Sequence, residues 1–146
     1  LNLHDIPKLT NNIDNKPMKC LHIITPVKDS IDSTLETVKA IMESDILVPF
    51  TYTVYNDFST EENTHRLEEA ARQWNFRLVN LSDLTDHPSP NYLLVLQTAQ
   101  KEAIEADAGL LIVESDVIVK KKHIAITIQW SIATETMRNC SRCDNR

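Results

Sequence analysis

The chain has 146 residues, the length of one domain, and its 42% hydrophobic and 25% charged residues make an ordinary globular composition rather than a disordered one. A formal net charge of -6 argues against a nucleic-acid platform, because phosphate backbones need a basic face. One glycine in the whole chain excludes the glycine-rich phosphate cradles GxGxxG and GxxxxGK[ST], which cannot be written with so few.

Residues 1–18 are polar, with Asn11, Asn12, Asp14 and Asn15 clustered, and read as an N-terminal arm. Leu21 to Thr25 is a short apolar run ended by Pro26, which suits a buried strand. Ser33-x-x-Glu36 has the pattern of a capping box, and Leu35, Val38, Ile41 and Met42 follow at helical spacing until Pro49 closes the region. Phe50 to Tyr55 is aromatic and β-branched, hence a second strand. Ser59-x-x-Glu62 repeats the capping pattern ahead of the stripe Leu67, Ala70, Ala71, Trp74. Phe76 to Leu81 reads as a third strand.

In His87-Pro88-Ser89-Pro90, Ser89 is expected to cap a helix with Pro90 at its first position. Leu93, Leu96, Ala99 and Ala103 continue that helix. Its end falls at Asp107-Ala108-Gly109, where the glycine is expected in a left-handed conformation. Leu110 to Val113 is a fourth strand. Strands alternating with amphipathic helices predict an α/β fold with a mostly parallel sheet and flanking helices.

The pattern weakens after Val119. Residues 120–146 hold 6 basic and 2 acidic residues, leaving 9 basic and 19 acidic residues elsewhere. Ile124 to Ile132 alternates as a strand does, and residues 121–146 read as a tail. Lys120-Lys121-Lys122 reads as a solvated run. Cys140-x-x-Cys143 has half of a zinc spacing, with no second pair to complete four ligands. Three cysteines, an odd number, fit a reducing compartment, so the cytoplasm is expected. No run of about 18 apolar residues that could span a membrane is present, and no signal peptide is visible. The first residue is Leu1, so a trimmed or processed start is expected.

Ligands of an open parallel sheet bind beyond the carboxyl ends of its strands. The first strand is followed by Pro26, Val27, Lys28 and Asp29, the second by Asn56-Asp57-Phe58-Ser59 and the fourth by Glu114-Ser115-Asp116. Two strands thus end in acidic residues on one edge. Carboxylates at i and i+2 can both be directed to one hard cation. Such a cation would admit a diphosphate to an acidic edge and neutralise charge on a departing phosphate oxygen. His22, inside an apolar strand, reads as a satisfied core residue, and His87 as a surface one.

Three stretches carry a resemblance. Ile23-Ile24-Thr25-Pro26-Val27, Val54-Tyr55-Asn56-Asp57-Phe58-Ser59-Thr60 and Ala108 to Asp116 resemble, in order, the opening strand, the V-x-D-D-x-S-T segment and the strand ending in DxD of family 2 glycosyltransferases. Residues 19–120 therefore look like the N-terminal, nucleotide-binding half of such an enzyme, with the Rossmann-like GT-A fold. The resemblance implies sugar transfer from a nucleoside diphosphate sugar to an acceptor hydroxyl, assisted by Mn²⁺ or Mg²⁺. It implies that Pro26 and Val27 line the nucleotide and that Asp57 meets its base or ribose. It places Glu114 and Asp116 at the two acids of DxD, with Asp116 on the metal and Glu114 on the metal or ribose. Asn56 stands where the family has its first Asp. The family's acceptor half and catalytic base are not recognisable, so a truncated or frame-shifted chain is expected, and no catalytic residue is named.

A non-catalytic nucleotide-binding or signalling domain is the rival. A receiver domain would have acids after its first and third strands, whereas here they follow the second and fourth. If Asp57 meets the nucleotide, Asp57→Ala is expected to weaken nucleotide binding yet leave the fold intact, since a strand-end carboxylate packs little.

Overall fold

A computed structural model describes residues 19–117 and 120. The predicted arm and the tail beyond Lys120, with its expected strand and Cys140-x-x-Cys143, lie outside the described residues. The elements are β1 (Leu21–Val27), α1 (Ile31–Met42), β2 (Phe50–Asn56), α2 (Glu61–Trp74), β3 (Arg77–Asn80), a 3-10 turn (Leu81–Asp83), α3 (Tyr92–Glu105) and β4 (Gly109–Ile112). All strands are parallel, in the order β3-β2-β1-β4. Sequence order runs outward from β1 to β3 and then returns to the other side of β1. The reversal between β1 and β4 is the switch point at which open sheets of this kind bind ligands.

Side-chain alternation explains the two layers of helix. Leu21, Ile23 and Val27 of β1 share one face with Tyr52 and Val54, and are covered by Ile31, Val38 and Ile41 of α1 and Leu67 and Ala70 of α2. On that face the buried Tyr52 hydroxyl donates to Thr25 Oγ1 at 2.9 Å. The opposite face presents Ile24 and Tyr55, covered by Val95 and Ala99 of α3 and by Leu81.

Several expected boundaries move. The β1 strand continues through Pro26, pairing it with Tyr55. The Ile24 carbonyl faces β4, accepting from the Val113 N–H, so by alternation the nitrogen of Pro26 also faces that side, beyond the last β1–β4 pair. The missing donor therefore takes no bond from the β1–β2 ladder. Helix α1 starts at Ile31, so Ser33 lies within its first turn and donates to the Ser30 carbonyl instead of capping. Thr60, not Ser59, caps α2, accepting from the Asn63 N–H, because the Ser59 hydroxyl is taken by the Asp29 N–H. The third strand begins at Arg77, and Leu81 has passed into the 3-10 turn. Helix α3 starts at Tyr92, with Asn91 as N-cap and Ser89 and Pro90 before it. The left-handed residue after α3 is Asp107 (φ 53°), while Gly109 has no positive φ and opens β4. Aspartate tolerates that region through local hydrogen bonding of its short side chain.

Polar groups cluster on the α3 face at the amino ends of the strands. The Arg77 guanidinium grips Glu102 with two bonds of 2.9 Å, and the Tyr55 hydroxyl donates to Glu102 at 3.4 Å. Burial and the neighbouring Glu102 push the Tyr55 hydroxyl up to about 12. His22 is 6% exposed, with Nδ1 at 2.7 Å from Thr51 Oγ1. Its Nε2 is 3.4 Å from Glu102 Oε2 yet has no hydrogen-bond partner among the described residues, so this ring is not the satisfied core histidine expected. Burial holds the imidazole below its usual value against the pull of Glu102, which favours the neutral ring.

Acid should therefore loosen the fold before the carboxylates titrate. Below the unfolded value near 6.5, an unfolded chain binds a proton that folded His22 refuses, so stability present above that value is lost as pH falls through it. Melting temperatures of wild type and His22→Gln from pH 7.5 to 5.5 check this. A smaller acid-side decline is expected in the variant, and parallel curves would remove His22 as the cause.

Candidate functional site

The carboxyl ends of β1, β2 and β4 form one edge, and hydrogen bonds tie its loops together. After β1 the chain turns at Asp29, a left-handed residue with φ 56°. Asp29 Oδ1 accepts from the Thr60 N–H at 2.7 Å and from Asn63 Nδ2 at 3.2 Å. The Thr60 bond and then the Asn63 bond hold its carboxyl below the usual range. After β2 the Asp57 N–H donates to the Val27 carbonyl at 2.8 Å. Phe58 then adopts φ 58°, an unusual conformation for a bulky residue.

Asn56 makes use of both ends of its amide. Nδ2 donates to Thr64 Oγ1 at 3.0 Å and to Asn80 Oδ1 at 2.9 Å, while Oδ1 accepts from the Ser59 N–H at 3.2 Å. A carboxylate here could not donate to Thr64 or Asn80. That is a physical reason for an amide at this position.

Asp57 is 8% exposed, and both of its oxygens are engaged. Oδ2 accepts from the Ser89 hydroxyl and the Asn91 N–H, and Oδ1 accepts from Asn91 Nδ2, each at 2.8 Å. Burial alone would raise its carboxyl, but the bonds from Asn91 and Ser89 and the charge of Lys28 outweigh it and hold it low. The adjacent Tyr92 donates its hydroxyl to Glu114 Oε1 at 2.8 Å. Consecutive residues at the start of α3 thus fasten the end of β2 to the end of β4.

The β4 end is anchored on both sides. The buried Val113 donates its N–H to the Ile24 carbonyl at 2.9 Å, and the Thr37 hydroxyl of α1 donates to the Val117 carbonyl at 2.8 Å. Between these anchors Glu114 and Asp116 are exposed. Lys28 is exposed at the same edge, and among the described residues it makes no ion pair. Pro26 is half-buried. The Val27 side chain lies in the α1–α2 core, so only its backbone reaches this edge, and its carbonyl is already bound by Asp57. No trio of His, Cys, Asp or Glu able to hold a metal ion is found among the described residues. Glu114 and Asp116 together offer hard oxygen donors, the right chemistry for Mg²⁺ or Mn²⁺, with Glu114 Oε2 not used by Tyr92.

No protein-family model and no curated protein matches the sequence. Solved structures do. The crystal structure of S. aureus TarS 1-349 matches with a TM-score of 0.53 at 19% identity, over 77% of this chain and 32% of that one. The fold is GT-A. The same TarS fragment in complex with UDP-GlcNAc also matches at TM-score 0.53, with 21% identity, and in complex with UDP at 0.52. A weaker likeness, TM-score 0.48 at 16% identity, is to glucosyl-3-phosphoglycerate synthase from Mycobacterium tuberculosis, solved with Mn²⁺, UDP and glucosyl-3-phosphoglycerate. This chain spans about a third of the TarS 1-349 chain and lies in its N-terminal part.

Sequence reasoning found the acids of this GT-A edge but not what holds them. Asn91, Ser89 and Tyr92 sit in and just after a Pro-flanked stretch that read only as a cap. Asp57 is also more than a strand-end carboxylate. Truncating it leaves the Asn91 N–H and amide without acceptors in a buried place, so Asp57→Ala is expected to cost about 1.5–3 kcal/mol, the range for hydrogen bonds to a charged group. Urea unfolding measures the loss, and an unchanged midpoint would show that Asn91 and Ser89 find other partners at no cost.

Proposed function

We propose that this chain supplies the donor-binding part of a family 2 glycosyltransferase that moves a sugar from a nucleoside diphosphate sugar to an acceptor hydroxyl. One observation carries the reading. At the switch point of a GT-A sheet, the start of α3 fastens a buried acid after β2 to an exposed acid pair after β4. TarS, of like fold, is solved with UDP and UDP-GlcNAc, which makes UDP the first nucleotide to test.

On this reading the nucleotide lies across the ends of β1 and β2, with the Pro26–Val27 backbone and Asp57 lining its base or ribose. Asp57 Oδ1 accepts one bond internally, so it retains acceptor capacity for a nucleotide N–H or hydroxyl. Glu114 and Asp116 would hold Mn²⁺ or Mg²⁺ against the diphosphate, with Glu114 also within reach of the ribose. The cation supplies neutralisation of the charge that develops on the departing phosphate oxygen. Lys28 adds a positive charge to an otherwise acidic edge. No helix among the described residues is long and apolar enough to cross a membrane. The odd number of cysteines suits the reducing cytoplasm as the place of action. Inverting transfer would also need a general base on the acceptor side.

Titrating UDP with and without Mn²⁺, on wild type and Asp116→Asn, tests the reading. Wild type is expected to bind UDP more tightly with Mn²⁺. The variant should lose that increment, at least about tenfold in affinity or ~1.4 kcal/mol, while keeping the melting temperature of the ligand-free protein. Equal metal dependence in both proteins would remove Asp116 from the site.

A further inference from the structure

Helix α3 joins the candidate edge to the polar cluster at the other end of the sheet. At its start Asn91 and Tyr92 meet Asp57 and Glu114, and in its last turn Glu102 meets Arg77 and Tyr55. The apolar seat between these ends is thin. Its buried residues are Val95, Ala99 and Ala103. Alanine methyls bury little area against Ile24, Tyr55 and Leu81, so the apolar contacts alone hold this helix less strongly than longer side chains would. Directional bonds to charged groups are geometrically stricter. The Arg77–Glu102 fork is such a bond, bidentate, with Glu102 more buried than the half-exposed Arg77.

We infer that Glu102 is a positioning residue for the candidate nucleotide edge, setting where along the sheet α3 sits and thereby where Asn91 and Tyr92 hold Asp57 and Glu114. From Asn91 to Glu102 a helix rises about 16 Å, and a single uninterrupted helix transmits a shift at one end to the other. Glu102 gathers three strands onto α3. Arg77 of β3 and Tyr55 of β2 donate to it, and Nε2 of His22 in β1 lies 3.4 Å away.

The inference rests on the nucleotide reading for its functional consequence alone, and its test does not need a ligand. The Asn91 N–H, donated to Asp57, reports the seating of α3 through its hydrogen-exchange rate, and the Asn91 side-chain amide reports it through its NMR shift. In Glu102→Gln, exchange at Asn91 is expected to speed up about tenfold, with a moved side-chain resonance, while the Ile23 amide in β1 keeps its wild-type rate. An unchanged Asn91, or equal acceleration at Asn91 and Ile23, would overturn the inference, the latter by showing a loss of stability only. Arg77→Gln, at a half-exposed position, is expected to give the same selective effect and serves if Glu102→Gln does not fold. UDP affinity measured on the same proteins should fall several-fold in both variants. Wild type that fails to bind UDP would sink the nucleotide reading, while Asn91 exchange would still decide the role of Glu102.

Discussion

A carboxylate that is 8% exposed has to be satisfied by donors, because burying an unpaired charge is prohibitive. Asp57 meets that demand with three bonds, two of them from Asn91 and one from Ser89. Much follows from it. The segment from His87 to Asn91 cannot wander, since Asn91 Nδ2 also donates to the His87 carbonyl at 3.0 Å. The start of α3 is fixed over the end of β2. Tyr92 is then placed to reach Glu114, and the ends of β2 and β4 become parts of one edge although β1 lies between them.

The sheet accounts for why the acids gather at this edge. Parallel strands bring all their carboxyl ends to one side, and the return of the chain from β3 to β4 opens the crevice beside β1. The polar cluster of His22, Arg77 and Glu102 lies at the other ends of the strands, where β1, β2 and β3 begin. Its charges are internally matched. Burial raises the Glu102 carboxyl, but the Arg77 guanidinium and its neighbours more than offset that, so Glu102 stays ionised and Arg77 stays gripped.

Most of the architecture was legible in the chain itself. Apolar runs such as Leu21 to Thr25 and Phe50 to Tyr55 are strands because they are short, rich in β-branched and aromatic residues, and covered on both faces. The stripes through Val38 and Ile41, and through Leu67 and Ala70, are helices because their spacing fits one face. Cap positions were less legible. Ser59 and Thr60 are neighbours with the same chemistry, and only the arrival of Asp29 from another loop decides which of them caps α2. Gly109 read as a helix stop, yet Asp107 takes the left-handed turn, leaving the glycine to begin β4. The acids of the candidate site were visible as strand ends. Asn91, Tyr92 and Glu102 were not, because their roles exist only when elements distant in sequence meet.

Among the described residues, four that are not glycine occupy the left-handed region: Asp29, Phe58, Asn75 and Asp107. Three of them are the short polar types that bear this conformation best. Each marks a corner: Asp29 after β1, Asn75 at the end of α2, Asp107 after α3. In any homologue keeping this backbone, those columns should admit Asp, Asn or Gly and bar valine or isoleucine, whatever happens to the helices between them. Phe58 is the exception, a bulky ring in a costly conformation beside Asp57, and its retention or loss would separate homologues that keep this loop shape from those that have relaxed it.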